Sequence, residues 1–235
     1  RVYDQTTGAV EELGRYLGLK KAPYRMECFD ISHMQGSETV ASMVVFEGGV
    51  AKKSDYRRFK IRSAEGKPDD FKSMREVTTR RYGAPDAEMP DLIVIDGGKG
   101  QLSSALEIIR GAGHLLVPVV GLAKREEEVF REGESEPVIL PRDSQALFLI
   151  QRIRDEAHRF AITYHRRLRG KRNMVSVLDH IEGIGPKRRQ LLYEHYGELE
   201  KIKEASVEEM AGLDGMNRPA AEAVYNFFLA QRNLR

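Results

Sequence analysis

The chain has 235 residues, 41% hydrophobic and 31% charged, enough for one or two globular domains with real cores. A net charge of +2 leaves any nucleic-acid contact to local patches, and a single cysteine, Cys28, excludes an intramolecular disulfide and a cysteine-rich zinc module and fits a reducing, cytoplasmic setting. No apolar run reaches the length of a membrane span, no signal-peptide pattern is present, and the chain opens on Arg1 rather than Met, as a fragment or processed product would.

Residues 5–19 have helical spacing in Val10, Leu13, Tyr16 and Leu17, with Gly18 as a stop. A strand follows, through Met26, Cys28 and Phe29 to Asp30, with Pro23 just ahead of it. Strands avoid aspartate, so Asp30 needs a reason: a strand-end turn on one reading, a metal ligand at the edge of a sheet on the other. Gln35-Gly36-Ser37 turns the chain, 39–46 is rich in β formers, Gly48-Gly49 signals a hairpin, and 50–61 reads as the third strand of an antiparallel meander. Within it, residues 56–62 mix aromatics with four cations, and alternation puts Arg58, Lys60 and Arg62 on one face. Such a face is either a charged edge that resists aggregation or a surface for phosphates.

A loop over 65–70 ends in an N-cap candidate, and Phe71, Met74, Val77 and Tyr82 mark a helix closed by Gly83. The run Leu92-Ile93-Val94-Ile95 is a strand buried on both faces. It also ends in an aspartate, Asp96, and Gly97-Gly98-Lys99-Gly100 leads into a helix through Leu102, Ala105, Leu106 and Ile109. Two strands that each end in Asp can set two carboxylates side by side. Such a pair repels itself unless a divalent cation joins it, and Mg²⁺ and Mn²⁺ prefer these oxygens. A strand over 115–122 and a small hairpin from Val129-Phe130 and Val138-Ile139-Leu140 follow. Pro141, Asp143 and Ser144 then open a long helix, its apolar stripe running through Ala146, Leu149, Ile150, Ile153 and Ala157. Arg154, Asp155, His158 and Ile162 share another face of it.

A meander followed by alternating helix and strand matches an RNase H-like α/β domain, whose site takes carboxylates from the first and fourth strands and a residue from a late helix. Asp30 and Asp96 fill the first two places. His158 is the candidate for the third, as ligand or proton carrier, set against the commoner structural duty of a helical histidine.

Residues 164–173 hold five cations and no acid, and read as the end of the helix plus a basic linker, either a soluble hinge or a phosphate-tracking segment. The expected domains are 1–170 and 171–235. The second carries an internal echo: I-E-G-I-G-P-K-R-R at 181–189, and a second glycine turn at 210–219 with Gly215 and Asn217, each between helices. Gly183 and Gly185 are expected to permit positive φ and close backbone approach. Pro186 starts the next helix, whose N-terminal N–H groups, with Lys187 and Arg188, suit a phosphate regardless of base sequence. A plain helical hairpin is the alternative.

Together the strings E-C-F-D-I-S-H, T-V-A-S-M-V-V-F, Y-R-R-F, I-D-G-G-K-G-Q-L, I-R-D-E-A-H-R-F-A and I-E-G-I-G-P-K-R-R resemble the C-terminal half of the UvrC family, the nuclease of bacterial nucleotide excision repair, from about residue 24 to the end. The resemblance implies an endonuclease V-like RNase H fold followed by a tandem helix-hairpin-helix domain. It implies an Asp-Asp-His triad of Asp30, Asp96 and His158 working with Mg²⁺ or Mn²⁺, and it matches Asp70 to a further aspartate linked to activity. Lys99 and Arg58 are candidate phosphate contacts; Gly183, Gly185, Lys187 and Arg188 match the first DNA-binding hairpin, and Gly215 and Asn217 mark the second. The implied activity is the incision on the 5′ side of a lesion in damaged or bubble DNA, within a UvrB–DNA complex. The family's 3′ cut belongs to an N-terminal GIY-YIG domain, for which, as for the coiled segment that meets UvrB, these residues hold no counterpart. Two rivals are a DNA-binding scaffold with a vestigial nuclease centre, and a related junction resolvase or deaminated-base endonuclease.

Overall fold

The computed structural model describes residues 1–34, 38–63, 69–125 and 127–234; the expected turn at 35–37 and residues 65–68 of the expected loop lie outside them. Contacts divide the chain into two units, Arg1–Ile162 and Thr163–Arg235. No helix among the described residues is long and apolar enough to cross a membrane.

The first unit opens with α1 (Val2–Gln5) and α2 (Thr7–Tyr16), then β1 (Arg25–His33), β2 (Thr39–Glu47) and β3 (Val50–Ala51). A 3-10 turn at Lys53–Asp55 precedes β4 (Arg57–Ile61), α3 (Asp70–Tyr82), β5 (Leu92–Asp96) and α4 (Gly98–Gly111). Then come β6 (Val119–Leu122), β7 (Glu128–Arg131), β8 (Val138–Ile139) and the start of α5 (Gln145–Asp179). The strands form one mixed sheet in the order β3-β2-β1-β5-β6-β7-β8, with β4 also on β2. β1 is antiparallel to β2 and parallel to β5.

Side chains alternate across this sheet, and each set finds a helical layer. Met26, Cys28, Leu92, Val94, Val120 and Leu122 pack with α2 and with Leu149, Ile150, Ile153 and Ala157 of α5. Phe29, Ile93 and Ile95 pack on the other face with Met74, Val77 and Tyr82 of α3 and Leu102, Ala105 and Ile109 of α4. The continuous apolar reading of β5 follows from this double burial.

Several expectations need correction: β1 runs past Asp30 to His33, and the strand expected over 115–122 begins only at Val119. The strand expected over 50–61 is broken, because Lys52, Lys53, Ser54 and Asp55 lack apolar alternation and the Asp55 carboxylate is drawn to Arg25, 2.7 Å away. β3 and β4 therefore pair separately with β2, and Asp96 ends the fifth strand rather than the fourth. The basic stretch at 164–173 is helical, not a linker. Its Arg, Lys and Leu residues favour helix, and its one glycine, Gly170, does not stop it.

The second unit holds the last turns of α5 with α6 (Pro186–Tyr196), α7 (Leu199–Glu204), α8 (Val207–Ala211) and α9 (Arg218–Arg232) around Leu178, Ile184, Leu192, Met210, Val224 and Phe228.

One buried charge anchors β1 just upstream of Asp30. The Glu27 side chain is fully buried. It accepts hydrogen bonds from Arg25 Nε (2.9 Å), Arg81 Nη2 (3.0 Å) and the Tyr82 hydroxyl (2.6 Å), tying β1 to the end of α3. Arg25 keeps Asp55 without Glu27, but Arg81 and the buried Tyr82 hydroxyl would lose their carboxylate partner. Glu27→Ala is expected to lower the stability of the first unit by about 3–5 kcal/mol in a urea titration; a loss under about 1 kcal/mol would contradict this account of the anchor.

Candidate active site

The parallel pairing of β1 and β5 sets Asp30 directly beside Asp96. Both follow the alternation of Cys28 and Val94, so both carboxylates point to the face that α5 covers. The glycines after Asp96 let the chain leave the sheet at once: Gly98 has φ +77°, and a Cβ on Gly100 would lie 2.4 Å from the Phe71 ring.

α5 brings two nitrogen side chains one turn apart to this pair. His158 Nε2 lies 2.9 Å from Asp96 Oδ2 and 3.8 Å from Asp30 Oδ2. Arg154 Nη2 lies 3.0 Å from Asp96 Oδ1. One potential ligand atom from each of Asp30, Asp96 and His158 falls within 4.8 Å of the others. Two carboxylates and an imidazole form a donor set suited to Mg²⁺ or Mn²⁺, so the residues fit such an ion. For His158 to donate to ionised Asp96, Nε2 must carry the proton.

The electrostatics point the same way. Burial, and then the neighbouring Asp96 charge, push the Asp30 carboxyl up from 3.8 to about 6, opposed by His158 and Arg154. Two anions held this close call for a cation.

The other sequence candidates fall outside the triad. Asp69, not Asp70, caps α3 by accepting from Lys72 N at 3.1 Å, which corrects the expected cap; with two aspartates in succession the spacing alone did not separate them. Asp70 is thereby free to meet His33 Nε2 at 2.5 Å and Gln101 Nε2 at 3.4 Å, while His33 Nδ1 lies 3.0 Å from Thr39 Oγ1. Lys99 donates to the Ser135 carbonyl and sits 4.9 Å from the Phe130 ring centroid. The Arg58 guanidinium lies 3.7 Å over Phe160 of α5. Sequence reasoning assigned no role to Arg154 or His33. Arg154 was legible only as a neighbour of His158 on one helical face, and His33 only as the end of the D-I-S-H string.

In the second unit, Gly183 and Gly215 adopt φ +87° and +97°. Gly185 departs from expectation: at φ −84° and ψ −175° it is extended, and it serves as the N-cap before Pro186. Asn217 holds the same position before α9, its side chain accepting from Ala220 N at 2.9 Å. Lys187 is exposed at the start of α6. Arg188 is turned inward, donating to the carbonyls of Gly183 (2.9 Å) and Gly215 (3.3 Å), so it joins the two glycine turns.

Comparison with known families and proteins agrees with this architecture. The family model described as the UvrC RNAse H endonuclease domain matches residues 14–162. A second, described as a SAM-like helix-hairpin-helix tandem, matches residues 175–228. Relatives named UvrABC system protein C are 46% identical in Desulforudis audaxviator, over 94% of this chain and 39% of that protein. The identity is 48% in Symbiobacterium thermophilum, over 93% and 39%. It is 48% in Chlorobaculum tepidum, over 94% and 35%. The chain thus spans 35–39% of the length of these relatives. The fold is an RNase H-like α/β domain followed by a helix-hairpin-helix domain.

Asp30 gives the fold a pH signature. Its folded value of about 6 exceeds its ordinary 3.8, so its contribution is fully present below 3.8 and is lost as the pH rises toward 6. Without divalent metal, Asp30→Asn should melt above the parent chain near pH 7.5 and show a much smaller gap near pH 4 by calorimetry. A parent chain that melts higher at both pH values would contradict the assignment.

Proposed function

The chain belongs to the UvrC RNase H endonuclease family, and on that premise we propose that it is a divalent-metal-dependent DNA endonuclease that makes the 5′-side incision at damaged DNA in nucleotide excision repair. The observation that carries this reading is the convergence of His158 on Asp30 and Asp96, which are register partners on two adjacent parallel strands.

Asp30 and Asp96 would hold Mg²⁺ or Mn²⁺, with His158 as third ligand or as proton carrier. Such an ion would supply water activation and offset charge building on the phosphoryl oxygens. The chain's own side chains set the stage for it. Asp96 is oriented through both oxygens by α5. The His158 side chain is 48% exposed, so a proton at Nε2 has a route to solvent. Asp70, steadied by His33 and Gln101, stands near enough to act on Asp30 electrostatically and contributes to the same reaction from outside the triad.

Grip on the substrate comes from the second unit. The start of α6 offers N–H groups and the exposed Lys187 to the phosphate backbone, and the start of α9, beyond Gly215 and Asn217, offers the second contact. Arg58 and Lys99 serve as phosphate contacts in the first unit once a strand displaces their present partners. Phosphate contacts carry no base information, so the choice of lesion falls to a partner, a UvrB–DNA complex in the cytoplasm.

Asp30→Asn and Asp96→Asn should each reduce nicking of a bubble duplex to background, and EDTA should do the same to the parent chain. Nicking that survives either change would point to a contaminating nuclease or a vestigial centre. Cleavage of four-way junctions or inosine-containing duplexes in preference to bubbles would reassign the substrate. Lys187→Ala should weaken DNA binding equally for unrelated sequences and reduce the slope of log affinity against log salt by about one. An unchanged slope would remove Lys187 from the interface.

A further inference from the structure

We propose that Arg154 is a positioning residue that holds Oδ1 of Asp96 out of the metal's reach and so limits the centre to one divalent ion. The proposal rests on the metal-nuclease reading of Asp30, Asp96 and His158.

One helix occupies both oxygens of Asp96: Arg154 Nη2 meets Oδ1 at 3.0 Å and His158 Nε2 meets Oδ2 at 2.9 Å. The two contacts differ in kind. The His158 side chain is 48% exposed, and its nitrogen also faces Asp30, so it can exchange its partner for an ion. The Arg154 side chain is 13% exposed and that of Asp96 only 6%. A guanidinium does not give up its proton at any working pH, and its planar fork is fixed in direction. Oδ1 is therefore withheld, and Oδ2, on the side of Asp30 and His158, is left for the ion.

Stability does not account for this arrangement. Arg154 Nη1 is buried without a hydrogen-bond partner, and buried polar groups are normally satisfied. A buried ion pair with an unfilled donor is poor value for the fold alone. It makes sense if the fixed positive charge is what the site needs. Centres with two ions about 4 Å apart use them to clamp the attacking and leaving oxygens, which takes carboxylates able to serve both ions. Asp96 could do so through its two oxygens, and Arg154 stands at one of them. It supplies, without exchange, one fixed positive charge where a second ion would bring two.

The test counts bound ions directly. Mn²⁺ is titrated into the whole chain and followed by the electron paramagnetic resonance of free aqueous Mn²⁺, counting only ions lost when Asp96→Asn is added. The parent chain and Arg154→Lys should bind one ion, and Arg154→Met should bind two. Arg154→Met should also lose about 10–100-fold in kcat for nicking, with the KM for DNA unchanged and partial recovery in Arg154→Lys. Arg154→Ala replaces the methionine variant if that chain does not fold. Two ions in the parent chain, a single ion in Arg154→Met, or a parental kcat in Arg154→Met would each overturn the proposal. If Asp96→Asn still bound the ion and nicked at the parental rate, the metal-nuclease reading would fail instead.

Discussion

The parallel pairing of β1 with β5 in the middle of the sheet forces two carboxylates to stand side by side on one face, and their mutual repulsion is the constraint to which the rest of the first unit responds. Asp30 and Asp96 are register partners, one strand spacing apart and on the same face. Hydrophobic alternation holds that register. A slip of one residue would send Phe29 to the α5 face and Asp30 into the layer of α3 and α4. The burial that fixes the register is also what makes the pair costly, since Asp30 loses solvent and gains a like-charged neighbour.

α5 answers that cost in part. Its apolar stripe seals one face of the sheet through Ile150, Ile153 and Ala157, and the adjoining positions bring Arg154 and His158 over the carboxylates. One helix thus closes the core and supplies the nitrogen side chains of the site. The remaining excess of negative charge is what a divalent ion would neutralise. A site built this way is stable in proportion to what it binds, as expected where activity and stability compete. The second unit solves a different problem with less chemistry. Its glycine turns expose helix N-termini, Asn217 caps α9, and Arg188 bridges the turns through backbone carbonyls, so Lys187 is left as the side chain free to meet a phosphate at the start of α6.

Much of this was legible in the sequence because the signals were local. An aspartate after an apolar run is visible without tertiary knowledge at both Asp30 and Asp96, although only Asp96 closes its strand and β1 continues to His33. The period of α5 placed Arg154 and His158 on one face. What could not be read depends on partners distant along the chain. Arg154 owes its role to Asp96, and Asp70 meets a histidine 37 residues earlier. Composition misled at the basic stretch, where five cations suggested a linker although those residues are good helix formers. At Gly185 residue type misled: glycine permits a positive φ, but an N-cap is extended, and Asn217 does the same duty with a side chain.

The most direct test of the central claim is anomalous diffraction from crystals soaked in Mn²⁺. The account predicts a single strong peak at about 2.0–2.3 Å from carboxylate oxygens of both Asp30 and Asp96, with His158 bordering it. Density for the ion at other acidic groups, with the space between Asp30 and Asp96 empty, would contradict it.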